Sequence, residues 1–417
     1  MAVRRLEAAA LDALFGALRR RGYTLVGPTL HDGAIVYDEL TGADQLPIGW
    51  TEVQDAGHYR VAPRDDDARF GYTVGPTAWK RFLHPPALRL WRAERDAEGG
   101  FDVFDEPHEP PKVAFIGVRP CDVAAIAIQD RVFTGGAHVD PDYQARRERA
   151  FIVAVNCTEP GGTCFCASMG TGPEAREGYD LVLTEIVAPT RNGQRAEPSA
   201  PGGASRERGA EPSYLLEVGS ERGEQLLAEL GGRPARDDEV AEGHRRLEEA
   251  GGRMGRTLDT RGLAEALRRS LDNSRWDEPA ARCLACGNCT LACPTCFCNT
   301  VEDTTDLTGA FAERTRRWDS CFTHDLSYIH GGPVRVSLKS RYRQWATHKL
   351  GTWMEQFGTS GCVGCGRCIT WCPAAIDLTE EVAAIAASAQ ARATRRQARV
   401  APSPEPGKEV GDAAAAR

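Results

Sequence analysis

The sequence predicts an α/β N-terminal domain with a partly parallel sheet, followed by a mainly α-helical domain organised round cysteines. Three observations lead there. Residues 112–118 and 151–155 are short apolar runs joined by an apolar helical stretch, which is the pattern of a βαβ unit. Cys283-x2-Cys286-x2-Cys289-x3-Cys293-Pro294 returns as Cys362-x2-Cys365-x2-Cys368-x3-Cys372-Pro373. The stretch between the two runs exceeds what a compact β-hairpin ferredoxin needs, and its flanks read as helices.

The chain has 417 residues, 15 cysteines and a formal net charge of -8. That length fits two domains, predicted as 1–250 and 251–388. No apolar run approaches the roughly 18 to 20 residues of a membrane helix. The acidic balance leaves no footprint for nucleic acid or an acidic lipid surface. Residues 1–21 carry five arginines and predict an amphipathic surface helix with Leu11, Leu14, Phe15 and Leu18 on one face. Arg4-Arg5 is followed by Leu-Glu, so no export signal is read and a cytoplasmic location is expected. Thiols stay reduced there, which favours metal ligands over disulfides.

From 23 to 104 the sequence alternates short strand-like pieces with turns. Lys80, Arg81 and His84 are expected in a solvated loop. Residues 112–118 then form a buried strand, Asp122 caps a helix over 123–133, and residues 151–155 form a second, parallel strand. Cys121 and Cys157 lie just past the carboxyl ends of those strands, the edge where open α/β sheets bind ligands. The glycine-rich loop that follows adds Cys164 and Cys166, and no other cysteine stands before 283. The quartet predicts a third metal site, most simply a 4Fe-4S cluster. The competing reading is a pair of buried thiols beside a reactive Cys-x-Cys. Residues 178–186 and 214–218 read as paired strands, and 189–212, without Val, Ile, Leu, Met or an aromatic, as a disordered insertion.

Helices are expected over 221–230, 238–250 and 260–271. The two cysteine runs follow the C-x2-C-x2-C-x3-C-P pattern in which three thiolates grip one 4Fe-4S cluster and the fourth reaches the other. Cys283, Cys286, Cys289 and Cys372 are assigned to one cluster, and Cys362, Cys365, Cys368 and Cys293 to its neighbour. Zinc is the competing reading, since closed zinc sites also use paired CxxC motifs. Cys296, Cys298 and Cys321 are read as thiols packed beside the clusters, with a further metal completed by a residue such as His324 as the alternative. The basic, aromatic stretch 339–349 reads as charge compensation or a docking face. Beyond Ser388 the tail, 389–417, is expected to be disordered.

Gly117-Val-Arg-Pro-Cys121-Asp122, Asn156-Cys157, the segment 163–172, Cys293-Pro-Thr-Cys-Phe-Cys298, Trp318-Asp-Ser-Cys321 and the segment 361–368 together resemble the iron–sulfur beta subunit of cytosolic NADP-linked nickel–iron hydrogenases, the sulfhydrogenases. The A subunit of anaerobic sulfite reductase is similar. The resemblance implies a relay in a hetero-oligomer. A flavin and 2Fe-2S subunit would exchange electrons with NAD(P)H, and hydrogenase small and large subunits, or alternatively a siroheme sulfite reductase subunit, would perform the terminal chemistry. The residues agree in offering no dinucleotide fingerprint after a strand and no nucleophile with a base. A self-contained reductase acting at the N-terminal cysteines is the reading from another class.

Overall fold

The structure, a computed structural model, describes residues 3–105, 109–187 and 211–400, with side chains to residue 391. Its main sheet uses β1 (Arg4–Glu7), β2 (Thr24–His31), β3 (Ala34–Glu39), β8 (Val113–Val118), β9 (Ala150–Val155), β10 (Leu181–Ile186), β11 (Ser213–Val218) and β12 (Arg233–Pro234), numbered to leave β4 to β7 for the strands between β3 and β8. The spatial order is β12-β1-β11-β10-β9-β8-β2-β3. The four central strands β10, β9, β8 and β2 run parallel, and the flanking pairs are antiparallel. The sheet is therefore mixed, and its central strands are parallel as the βαβ pattern predicts.

Both faces are covered, which is why β8 and β9 read as unbroken apolar runs. Ala114, Ile116, Phe151, Val153 and Val155 pack on one side with Leu11, Leu14, Phe15 and Leu18. Phe115, Ile152 and Ala154 pack on the other with Val123, Ile126 and Phe133 of helix Pro120–Phe133. The four residues of the predicted amphipathic face are all buried, but helix Ala10–Arg20 is shorter than the expected 1–21. Arg4–Glu7 is instead a strand, because its backbone finds partners in β11 and β12.

Two local expectations fail for the same reason, a partner distant in sequence. Asp122 is not the helix cap: Arg119 occupies that position and Pro120 begins the helix. The Asp122 carboxylate instead accepts a bidentate pair of hydrogen bonds from Arg367 at 2.7 and 2.8 Å, with both side chains buried. Lys80 and His84 do not lie in a solvated loop either; both are buried, and only Arg81 is exposed. Lys80 donates to the Cys296 carbonyl at 3.1 Å and sits 3.9 Å over the Trp318 ring.

The interval between the cysteine runs carries a hairpin that its polar sequence does not announce, β13 (Asn299–Thr305) with β14 (Phe311–Trp318). β14 pairs in turn with β6 (Ala87–Arg95), and β6 with β7 (Phe101–Asp105), so strands from the first and last thirds of the chain share one sheet. β4 (Trp50–Asp55) and β5 (His58–Pro63) make a separate hairpin. Helices Glu221–Leu230 and Asp237–Gly252 match the expected positions, and Leu263–Arg268 is half as long as the expected 260–271. Helix Leu378–Val400 continues past Ser388, so the backbone stays helical through part of the expected tail. Residues 401–417 and most of 189–212 lie outside the described residues. No helix among the described residues is long and apolar enough to cross a membrane.

Removing one partner of a buried ion pair strands the other charge and costs about 3–5 kcal/mol, whereas exposed pairs contribute about 1 kcal/mol or less. Asp122→Ala is therefore expected to lower unfolding stability in anaerobic urea titrations far more than Arg245→Ala, which breaks only exposed pairs with Glu242 and Glu249. Similar small losses for both would contradict the role given to Asp122.

Candidate metal centres

The sequence groups twelve of the fifteen cysteines in three sets, and each set lies in one neighbourhood of the structure. Cys283, Cys286, Cys289 and Cys372 line a single cavity, together with Cys368 and walled by Phe322, Tyr342 and Trp345. Two sulfurs there already accept backbone N–H groups, Cys283 from Ala285 and Cys372 from Ile376, both at 3.4 Å. Cys286 is exposed, as are the flanking Leu284 and Leu291, so this cavity lies at the surface.

The second set is deeper. Cys293, Cys362 and Cys365 are buried, and Cys362 accepts the Gly364 N–H at 3.4 Å. Burial pushes the Cys362 thiol up to about 12, and Cys365 and Cys368 rise for the same reason, Cys368 further through the neighbouring Cys362, Cys365 and Cys293. Cys293 is the exception. A hydrogen bond with Cys296, and then the Lys349 ammonium, hold it well below the usual thiol range against its burial. Lys349 Nζ donates to Cys293 Sγ at 3.2 Å, to Thr295 Oγ1 at 3.0 Å and to the Gly361 carbonyl at 3.0 Å. Of the basic stretch 339–349, Lys349 thus compensates charge, while Tyr342 and Trp345 are core residues rather than a docking face.

The third set also converges. Cys121 opens the helix after β8, Cys157 follows β9, and Cys164 and Cys166 lie on the next loop; all four line one small cavity with Arg119, Thr73 and Met254. Gly117 makes this possible: at φ 82° it carries a bulge at the end of β8 that most side chains would disfavour, and it turns the chain into Pro120. Burial raises all four thiols, Cys166 to about 12. Arg119, buried and donating to the carbonyls of Phe70 (2.8 Å) and Tyr72, partly offsets this at Cys157.

Sequence reasoning missed how closely the second and third sets adjoin. The Phe165 N–H donates to the Gly364 carbonyl at 2.8 Å, the Thr171 hydroxyl to the Val363 carbonyl at 2.6 Å, and the Thr163 and Thr370 hydroxyls meet at 2.7 Å. A Cβ on Gly364 would lie 2.6 Å from Phe165 backbone atoms, and one on Gly366 2.4 Å from Thr163. These glycines serve close approach between two cysteine loops, a signal that spacing alone could not separate from cluster wrapping.

Among the described residues, no three His, Cys, Asp or Glu side chains converge tightly enough for a single metal ion. Two runs of the C-x2-C-x2-C-x3-C-P pattern suit iron–sulfur clusters better than a tetrahedral zinc. As free thiols most would stay protonated, so a metal that replaces those protons is what such sets fit. Cys296, Cys298 and Cys321 belong to none of the three sets but pack beside them: Cys296 contacts Cys293, Cys321 shares a core with Cys283, Cys289 and Cys362, and the sulfurs of Cys298 and Cys321 meet at 3.5 Å.

A 4Fe-4S dicluster domain matches residues 282–376. The chain is 30% identical over 372 residues to sulfhydrogenase 2 subunit beta of Pyrococcus furiosus, spanning 87% of this chain and 92% of that protein. No solved structure matches.

A hydrogen bond to a charged group contributes about 1.5–3 kcal/mol. At about 59 mV per tenfold for one electron, that corresponds to roughly 60–130 mV. Lys349→Met withdraws a buried cation from Cys293, which destabilises the more negative, reduced state of a cluster held there. Its midpoint potential is expected to fall by up to that amount in an EPR-monitored titration, and an unchanged or higher potential would contradict the assignment.

Proposed function

Since the chain belongs to the family of sulfhydrogenase beta subunits, we propose that this iron–sulfur subunit relays electrons between a flavin and 2Fe-2S subunit that exchanges them with NAD(P)H and the small and large subunits of a nickel–iron hydrogenase. Two 4Fe-4S clusters occupy the crossed sets Cys283, Cys286, Cys289, Cys372 and Cys362, Cys365, Cys368, Cys293. A third is held by Cys121, Cys157, Cys164 and Cys166. When bound, these clusters supply one-electron transfer.

The observation that carries the reading is the backbone bond from Phe165 to Gly364, because it seats the Cys164 loop directly on the Cys362–Cys368 loop. Cys293 leaves the first motif and lies with the second set, so that the three sites form a contiguous series. The chain's own residues shape the series: Tyr342, Trp345 and Phe322 wall off the first cavity, and Lys349 and Arg119 place positive charge beside thiolates. The exposed Cys286, flanked by Leu284 and Leu291, offers one end to a partner. The domain division near residue 250, and a cytoplasmic hetero-oligomer without nucleic acid or membrane partners, complete the proposal.

Nickel and iron measured together on a complex purified anaerobically through this chain test the terminal partner. Nickel near one per complex is expected; iron without nickel would overturn the hydrogenase assignment and turn attention to a siroheme sulfite reductase. Within this subunit alone, about twelve iron atoms per chain are expected, four per site. Cys157→Ser combined with Cys164→Ser should remove about four of them while keeping the dicluster EPR signals. An unchanged iron content would remove the third cluster from the proposal.

A further inference from the structure

Two cysteines left outside the three sets are held against each other. Cys298 Sγ lies 3.5 Å from Cys321 Sγ, and neither side chain is fully buried. Their backbones are fixed by the hairpin between them. Asn299 pairs with Trp318 at the start of the β13–β14 ladder, and the Asp319 N–H donates to the Cys298 carbonyl at 2.9 Å. The Ser320 and Thr290 hydroxyls meet at 2.7 Å, which ties the Cys321 segment to the first cysteine motif. The contact is thus a product of the fold and not of two loose side chains.

Their surroundings favour a thiolate on one of the two. Contact with Cys321, helped by Lys349 and Lys80, brings Cys298 down to about 7 against its burial, and the same contact pushes Cys321 up. This asymmetry, one attacking sulfur and one protonated partner, characterises dithiols that open and close reversibly.

We propose that Cys298 and Cys321 form a redox-active dithiol that closes to a disulfide, a two-electron store set beside one-electron centres. On closure an Sγ–Sγ bond of about 2.05 Å forms. The Cys298 thiolate brings no proton, the Cys321 S–H bond breaks, and its proton leaves to solvent. The two electrons pass one at a time to the iron–sulfur centres, a clause that rests on the proposed relay. Reopening reverses each step: two electrons arrive singly and Cys321 regains its proton.

The test uses the full chain purified anaerobically with its clusters in place. Treatment with the two-electron thiol oxidant azodicarboxamide, alkylation and peptide mapping should recover a Cys298–Cys321 cross-link that dithiothreitol removes and Cys321→Ser lacks. Reductive titration of the oxidised native chain should then consume two more electrons than the Cys321→Ser chain, at equal iron content and with the same cluster EPR signals. Cys298→Ser, which removes the other sulfur, should reproduce the deficit. Iron lost from either variant would make these residues metal ligands and overturn the proposal, as would separately alkylated peptides with equal electron counts. Missing cluster signals in every chain would instead defeat the relay, while the cross-link would still decide the dithiol.

Discussion

The buried pair between Asp122 and Arg367 is the constraint on which the arrangement of cysteines depends. Asp122 follows Cys121 at the head of a helix packed on the main sheet, and Arg367 stands between Cys365 and Cys368. Two hydrogen bonds between fully buried charges therefore tie the third thiol set to the second through a contact that no loop could replace. Burying two charges is expensive, and such a pair is better understood as fixing register than as adding stability. Here the register is that of two cysteine loops, one on an α/β sheet and one in the dicluster region. Arg367 also donates to the Gly75 carbonyl at 3.2 Å, which leaves little freedom in how the loop sits.

The same logic extends to the other buried cations. Lys349, Arg119 and Lys80 face cysteine sulfur or cysteine carbonyls. An ammonium or guanidinium costs much to bury unless something negative faces it. The anionic group facing Lys349 is Cys293, whose thiol is held well below its usual range by Cys296 and by Lys349 itself. Under the proposed ligation, interior charge and ligand set form one design.

What sequence made legible, and what it hid, divides along the same line. The two cysteine runs are local patterns whose spacing already carries the geometry of a cluster loop. Cys121, Cys157, Cys164 and Cys166 could be grouped because two buried strands define one sheet edge, and their apolar runs are hard to misread. Asp122 could not be read, since its partner lies 245 residues away and a helix cap was the nearest local explanation. Lys80 and His84 looked solvated for the same reason: what buries them is contributed by residues near 296 and 318. The strand Asn299–Thr305 is polar along most of its length and becomes a strand only because β14 lies beside it. Arg4–Glu7 needed β11 and β12 to stop it continuing the helix that follows.

The sheet that joins β14 to β6 has a consequence for how the chain is made. Phe311 pairs with Glu94, so the closing contact spans more than half the polypeptide. Loop closure of that length carries an entropic cost before any pairing repays it, and such non-local sheets form slowly. During synthesis β6 and β7 wait as a two-stranded ribbon whose β6 edge, later covered by β14, is open and of the kind that recruits other chains. Biogenesis therefore has a vulnerable interval, which ends when the ribosome releases the hairpin lying between the two cysteine runs.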